Sequence, residues 1–289
     1  MVSRMSNQHS GTRAPHAGPG AESSTGTSTG TSTGTSGEGD RATPARPTTH
    51  FGYRSVGEDE KAPLVKDVFS SVAGRYDLMN DLMSMGIHRL WKAAMLDWLH
   101  PTPGMRLLDV GGGTGDIALR FCERGGGAVV VVDINEEMLS VGRDRTIDAG
   151  RSHEIAWLCG DAERLPVADG SVDAYTTAFC LRNVTRIDKA LREARRVLKP
   201  GGRFLCLEFS RVDVPALSRI YDQYSFRVLP VLGQLVAGNA DAYRYLVESI
   251  RRFPPQDELA RMIAAAGLDV VRYRNLSGGI AALHSAWRT

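Results

Sequence analysis

From about residue 105 onward, the chain alternates short apolar runs with amphipathic segments. Apolar runs bounded by turn residues predict buried strands, and apolar positions spaced three and four apart predict helices. The pattern predicts strands over Met105–Val110, Val129–Asp133, Ile155–Cys159, Val172–Phe179 and Arg203–Phe209. It predicts a helix that begins at Ile117 and further helices over Asn135–Arg145, Ile187–Leu198 and Gln256–Ala266. This alternation indicates an α/β protein with a mostly parallel sheet.

Two further strands are predicted near the C-terminus. Leu268–Asn275 and Ile280–Arg288 flank Ser277-Gly278-Gly279, a sequence typical of a turn. Neighbouring strands joined by a short turn pair antiparallel. We therefore expect a Rossmann-like sheet that is mostly parallel and carries an antiparallel strand in a C-terminal hairpin.

The turn after the first predicted strand is the most informative segment. Gly111, Gly113 and Gly115 follow Asp109 at every second position, whereas a dinucleotide fingerprint reads G-x-G-x-x-G. The pattern resembles motif I of the class I S-adenosylmethionine methyltransferases, whose sheet also ends in a hairpin. There, Asp109 would help to orient the methionine ammonium, and the glycines would shape a sharp turn beside the cofactor. The alternative is a glycine-rich turn that only joins two elements.

Asp133 ends the second predicted strand. At the carboxyl edge of the sheet, beside the glycine turn, its carboxylate is placed to accept two ribose hydroxyl hydrogen bonds. A turn that only joins two elements does not require this acid. Asp133 therefore favours a cofactor that contains a ribose.

Ligands of open α/β sheets lie at the carboxyl ends of the strands. Asp161 and Ala162 follow the third predicted strand, where we expect the adenine. The segment Cys180–Asn183 follows the fourth, where we expect the methyl group and the substrate. The alternatives are a turn or cap position for Asp161, a helix start for Asn183 and a solvated side chain for Arg182.

The composition changes this picture little. The chain has 289 residues, of which 42% are hydrophobic and 24% charged, as in ordinary globular proteins. A formal net charge of +2 without a basic block argues against a nucleic-acid partner. The cysteines form no CxxC pair, and no cluster has metal-ligand spacing, so we predict reduced cysteines and no metal. No apolar run is long enough to span a bilayer.

Residues 1–48 have a different composition. They are rich in Ser, Thr, Gly and Pro and contain no Leu, Ile, Phe, Tyr or Trp. We expect a disordered, low-complexity tail, because such a segment cannot offset its ordering entropy by burial. It lacks the apolar region of a secretory signal, so a linker or sequence upstream of the true start is favoured. We expect residues 49–289 to form a single domain, with a helical substrate cap over 49–104 and a helical insertion over 211–252.

Two segments give a more specific resemblance. Tyr76–Trp91 resembles the first signature of the ubiquinone/menaquinone biosynthesis C-methyltransferase family, and Arg196–Ser210 resembles the second. The likeness continues through Tyr243–Ile250 and covers about residue 48 to the C-terminus. This family transfers a methyl group from S-adenosyl-L-methionine to a ring carbon of a polyprenylated benzoquinol or naphthoquinol. The resemblance implies this activity, this cofactor and a class I methyltransferase sheet.

The same resemblance implies particular cofactor contacts. It assigns Thr114 to the turn, Asp133 to the ribose, and Asp161 with Ala162 to the adenine. One departure is that many relatives carry Ser-Phe-Gly where this chain has Ala178-Phe179-Cys180. The serine hydroxyl expected at that place is therefore missing.

Methyl transfer to carbon requires a nucleophilic ring carbon, which forms when an adjacent phenol is deprotonated or strongly hydrogen-bonded. Tyr76, His88 and Arg182 are the candidates to promote this. Arg182 would stabilise a phenolate or act as a relay through water. The alternatives are a hydrogen-bonded core position for His88 and a lid or helix cap for Tyr76.

The segment after residue 211 bears on the partners. An apolar stripe at helical spacing predicts core packing or contact with the isoprenoid tail and the membrane surface; it consists of Leu217, Ile220, Tyr221, Tyr224 and Val228. With a polyprenylated quinol as substrate, we expect a cytoplasmic protein acting peripherally at the inner face of the membrane. A homodimer and contacts with other quinone-biosynthesis enzymes stay open. Other readings are a small-molecule O- or N-methyltransferase and a cofactor-binding scaffold subunit.

Overall fold

The computed structural model describes residues 47–71, 80, 81, 84, 86–212 and 240–289. The strands are β1 (Thr48–Phe51), β2 (Arg54–Gly57), β3 (Leu107–Val110), β4 (Val129–Asp133), β5 (Ile155–Cys159), β6 (Val172–Ala178), β7 (Leu198–Phe209), β8 (Asp269–Leu276) and β9 (Ala281–Trp287). The helices are α1 (Glu58–Ser70), α2 (His88–Leu99), α3 (Asp116–Glu123), α4 (Glu136–Asp148), α5 (Ile187–Val197), α6 (Ala240–Arg252) and α7 (Gln256–Ala265). The expected disordered tail, Tyr76 and the apolar stripe lie outside the described residues.

Seven strands form one sheet in the order β5-β4-β3-β6-β7-β9-β8. The five strands from β5 to β7 run parallel. β9 lies between β7 and β8 and is antiparallel to both. This confirms the predicted sheet with an antiparallel strand in a C-terminal hairpin. The strand order reverses between β3 and β6, and open α/β sheets bind ligands at such a point.

Helices cover both faces of the sheet, which explains why the central strands are mostly buried. Residues of α2, α3 and α6 join one core cluster, including Met95, Phe121 and Leu246. Residues of α5 and α7 join the cluster on the other face, including Leu191 and Ile263. The described residues all fall within one compact unit. The two cores hold the strand ends fixed relative to one another.

Two elements differ from the sequence expectation. β7 begins at Leu198 rather than Arg203, because Leu198 pairs with Val172 before the turn at Gly201 and Gly202. The expected helical cap begins with the antiparallel pair β1 and β2, and helices follow it. Gly52, with φ at +58°, opens the two-residue turn between these strands. Of the helical insertion expected over 211–252, the structure describes residues 211, 212 and 240–252. Ala240–Arg252 is a helix.

Candidate active site

A cleft lies at the carboxyl ends of β3, β4, β5 and β6, at the point where the strand order reverses. It contains about 790 Å³ of empty space, part of which is open to solvent. α1 forms one wall. The strand ends bring together the predicted residues Gly111, Gly113, Asp133, Asp161 and Ala162.

Gly111 shows why the turn after β3 needs glycine. Its φ is +64°, in the left-handed region that residues with a Cβ avoid. A Cβ at this position would lie 2.0 Å from Sγ of Cys180. The turn therefore packs directly against the segment after β6, and both line the same cleft.

Asp133 occupies the end of β4 and is half-buried at the cleft. Its Oδ2 accepts a hydrogen bond from the N–H of Gly113 at 2.9 Å, and its Oδ1 accepts one from the N–H of Asn135 at 2.9 Å. Burial raises the pKa of this carboxyl, and the N–H donors oppose the rise. Each carboxylate oxygen has a second lone pair. The fixed carboxylate can therefore still accept hydroxyl hydrogen bonds from the cleft.

Asp161 and Ala162 line the same cleft after β5. Asp161 is exposed, and its Oδ1 accepts the N–H of Glu163 at 2.9 Å. Such a bond is expected if Asp161 is a turn or cap residue, which was the alternative interpretation. The residue thus stabilises its own turn and also faces the cleft.

Asp109 and Thr114 lie in a smaller pocket on the other side of the glycine turn, with Lys92 and Asp116. Oδ1 of Asp109 accepts a hydrogen bond from the Thr176 hydroxyl at 2.8 Å, whereas its buried Oδ2 has no partner among the described residues. Burial raises the pKa of Asp109 to about 7. Gly111 borders both pockets. The smaller pocket therefore offers an acidic acceptor next to the cleft.

Thr114 is also held from outside the turn. Its Oγ1 accepts a hydrogen bond from Nη1 of Arg145 at 2.9 Å, and only 2% of the residue is exposed. In the same small pocket, Nζ of Lys92 donates to Oδ2 of Asp116 at 2.7 Å. These contacts fix the turn against α2 and α4.

Arg182 is buried behind the cleft rather than solvated, with 6% of the residue exposed. Its Nη1 donates to Oε2 of Glu208 at 2.9 Å and to the carbonyl oxygen of Phe179. Burial raises the pKa of Glu208, and the guanidinium opposes the rise. The flanking Cys180 and Asn183 line the cleft, whereas Arg182 is not among its lining residues.

His88 begins α2 and is 2% exposed. Its Nε2 lies 2.9 Å from Oδ1 of Asp81, and burial lowers its pKa. His88 is not among the residues that line the cleft. The hydrogen-bonded, buried position matches the alternative interpretation of this residue, and Tyr76 lies outside the described residues.

The sequence pattern missed several contacts near the end of β6. The Tyr245 hydroxyl donates to Oδ1 of Asn183 at 3.0 Å, and the Tyr245 ring stacks on Phe51 with 4.2 Å between centroids. Phe179 has a φ of +58°, which is rare for a residue with a large side chain. These contacts join distant segments, and no local signal in the sequence reveals them.

The fold and cleft define a class I methyltransferase, and comparison with known proteins supports this. The model of the ubiE/COQ5 methyltransferase family matches residues 55–288. A ubiquinone/menaquinone biosynthesis C-methyltransferase UbiE of Paracoccus denitrificans is 59% identical over 248 residues, covering 85% of this chain and 99% of that protein. The protein of the same name from Cereibacter sphaeroides is 57% identical over 242 residues, covering 83% and 97%.

Among solved structures, a SAM-dependent methyltransferase from Thermotoga maritima shares the fold, with a TM-score of 0.57 and 20% identity. The match covers 77% of this chain and 99% of that one. The chain belongs to the ubiE/COQ5 methyltransferase family. It is an S-adenosylmethionine-dependent methyltransferase, which confirms the family, the fold and the cofactor expected from the sequence.

Proposed function

We propose that this chain methylates a ring carbon of a polyprenylated benzoquinol, a demethylmenaquinol or both, in ubiquinone or menaquinone biosynthesis. The observation that carries the proposal is the near full-length identity to proteins named as C-methyltransferases of these pathways. The cleft and the smaller pocket beside it add physical support, because Asp133 in the first and Asp109 in the second match a cofactor with a ribose and an ammonium group. If the protein transferred a labelled methyl group from S-adenosylmethionine to oxygen or nitrogen, the function would instead be that of an O- or N-methyltransferase.

The residues present fit the cofactor part by part. Asp133 would accept the ribose hydroxyls, and Asp161 with Ala162 would border the adenine. Asp109, whose buried Oδ2 has no hydrogen-bond partner among the described residues, would help to orient the methionine ammonium through a neighbouring backbone group or water, with Thr114 nearby. When bound, the sulfonium supplies an activated methyl group, so the protein does not have to activate the donor.

The protein must instead make the ring carbon nucleophilic. The quinone has to be in its reduced form, and a neighbouring phenol has to approach the phenolate. Arg182 is the candidate for stabilising such a phenolate. Because it lies behind the cleft and its charge is paired with Glu208, it would act across the intervening residues rather than by direct contact. Tyr76 and His88 remain candidates for holding or accepting the proton.

The proposed place of action is the inner face of the cytoplasmic membrane. An isoprenoid tail partitions into lipid, so a peripheral enzyme meets its substrate at the surface. Within the part of the chain that the structure describes, no helix is long and apolar enough to cross a bilayer.

The test is the quinone content of cells that lack this chain. We expect quinones that are one methyl group short to accumulate, and the wild-type gene to restore the mature quinone. Arg182→Lys, which keeps the charge, and Arg182→Gln, which removes it, separate an electrostatic role from packing. Arg192→Gln, at an exposed ion pair of α5, is the matched control and should complement fully. Normal quinones in the deletion strain would contradict the proposal.

A further inference from the structure

α1 lies along the cleft that we assign to the cofactor. Its residues Ala62, Val65, Lys66 and Phe69 line this cleft. Their spacing of three, one and three places them on one face of the helix. α1 therefore forms a wall of this cleft along more than one helical turn.

Asn135 joins the cofactor side of the cleft to α4. Its backbone N–H donates to Oδ1 of Asp133, the acid assigned to the ribose, at 2.9 Å. Its side-chain oxygen accepts the N–H groups of Glu137 and Met138 at 3.0 and 3.2 Å, which caps the start of α4. These three bonds use the backbone donor and the carbonyl oxygen of the side chain.

The side-chain NH2 of Asn135 is directed to α1 instead. It donates to the carbonyl oxygen of Lys66 at 3.3 Å and to Oγ of Ser70 at 3.1 Å. Asn135 is only 2% exposed. A helix cap needs an acceptor alone, so the two donated bonds have no role in capping. They fasten the C-terminal part of α1 to Asn135, two residues after the acid assigned to the ribose.

The other end of α1 has its own contact with the rim of the cleft. Nζ of Lys61 donates to the carbonyl oxygen of Val184, after β6, at 2.8 Å. Glu58 lies 3.3 Å from Nη1 of Arg186 in the same region. α1 thus bridges the strand ends of β4 and β6, with Asn135 at one end and Val184 at the other.

We infer that Asn135 is a positioning residue that holds α1 closed against the cofactor and couples this closure to the carboxylate of Asp133. The inference rests on the proposed placement of the cofactor in this cleft. A ligand that fixes Asp133 also fixes the backbone of Asn135, whose side chain then holds α1 in contact. Loss of the two donated bonds should loosen α1 and speed cofactor release, while α4 keeps its cap.

Asn135→Ser separates the two roles, because serine caps a helix well but is too short and lacks the NH2 group to reach α1. Hydrogen exchange of the protein without ligand should show the amides of residues 64–70 exchanging about fivefold to tenfold faster, with residues 136–148 unchanged. The dissociation constant for S-adenosylhomocysteine, measured by calorimetry, should rise by about fivefold to tenfold.

Two further variants complete the test. Ser70→Ala removes one of the two acceptors on α1 and should show the same changes to a smaller degree. Asn135→Ala removes the cap as well, so residues 136–148 should lose protection only in that variant. Unchanged exchange of α1 in Asn135→Ser, or equal loss of protection in α1 and α4, would overturn the inference. Failure of wild-type protein to bind the ligand would instead count against the placement of the cofactor, because the ligand-free exchange is independent of it.

Discussion

Two carboxylates at the carboxyl edge of the sheet, Asp133 on β4 and Glu208 on β7, have different surroundings. Asp133 is half-buried at the cleft and accepts hydrogen bonds from backbone N–H groups. Glu208 is 1% exposed; its oxygens accept from the backbone N–H and guanidinium of Arg182 and from the N–H of Phe209. Burial raises the pKa of both groups.

The comparison separates a carboxylate that is placed to bind a ligand from one that is paired inside the protein. Both have a raised pKa, so that property alone does not mark a binding site. Asp133 opens onto a cleft, and its protein partners carry no full charge, so its negative charge stays available to a ligand. The charge of Glu208 is matched by Arg182, which also holds the carbonyl of the left-handed residue Phe179.

The largest expected effect is on stability, at Glu208. Glu208→Ala removes the carboxylate that pairs with the buried guanidinium of Arg182 and should lower the free energy of unfolding by about 3–5 kcal/mol. Urea denaturation measures this loss. Glu208→Gln keeps hydrogen-bonding atoms in place and should cost less. A loss below about 1 kcal/mol in Glu208→Ala would show that the pair contributes little.

The matching change at Asp133 should act on affinity instead. Asp133→Ala removes a charged acceptor from the ribose and should weaken cofactor binding by about 1.5–3 kcal/mol in calorimetry. Its effect on the free energy of unfolding should be smaller than that of Glu208→Ala. Asp188→Ala, at an exposed ion pair on α5, is the control. An unchanged affinity would contradict the ribose assignment.

A substitution at Gly111 tests the contact between the glycine turn after β3 and Cys180 after β6. Gly111→Ala places a Cβ against Cys180 at a positive φ and should cost about 1–3 kcal/mol in unfolding free energy, with a loss of cofactor affinity. Adding Cys180→Gly should restore part of the loss, because the clash disappears while the backbone strain remains. A double variant no better than Gly111→Ala would show that the clash does not matter.

The smallest effect is a dependence on pH at Asp109. Burial raises its pKa to about 7 in the folded protein, above the ordinary value for an aspartate. Its contribution to stability is thus present at acid pH and lost as the pH rises through 7. Cofactor affinity should change in the opposite direction, rising by roughly 1 kcal/mol between about pH 6 and pH 8, because the ionised carboxylate attracts the ammonium.

Asp109→Asn is the variant that checks this pair of trends. It should bind the cofactor more weakly at neutral pH and lose most of the rise in affinity. Its unfolding free energy should exceed that of the wild type above pH 7 by about 1 kcal/mol. Affinity that rises with pH in Asp109→Asn as it does in the wild type would assign the titration to another group.

The part of the cleft that we assign to the cofactor is predictable because its signals are local. Val129–Asp133 and Ile155–Cys159 form the strands expected from their apolar runs, and each strand places its following residues in the cleft. The part of the site near the end of β6 depends on contacts between segments that are distant in the sequence. No spacing rule pairs Arg182 with Glu208, and none predicts the stack of Phe51 on Tyr245. For this reason Arg182 was expected to be either solvated or catalytic, and its buried ion pair was not foreseen.

Transfer of a labelled methyl group tests the central claim most directly. The protein is incubated with S-adenosylmethionine that carries a ¹³C methyl group and with a reduced, short-tailed demethylquinol, and the product is examined by NMR. The proposed function predicts a new ¹³C methyl bonded to a ring carbon, with the signal strongly reduced in Asp133→Ala. A label on oxygen, or no transfer by protein that binds the cofactor, would contradict it.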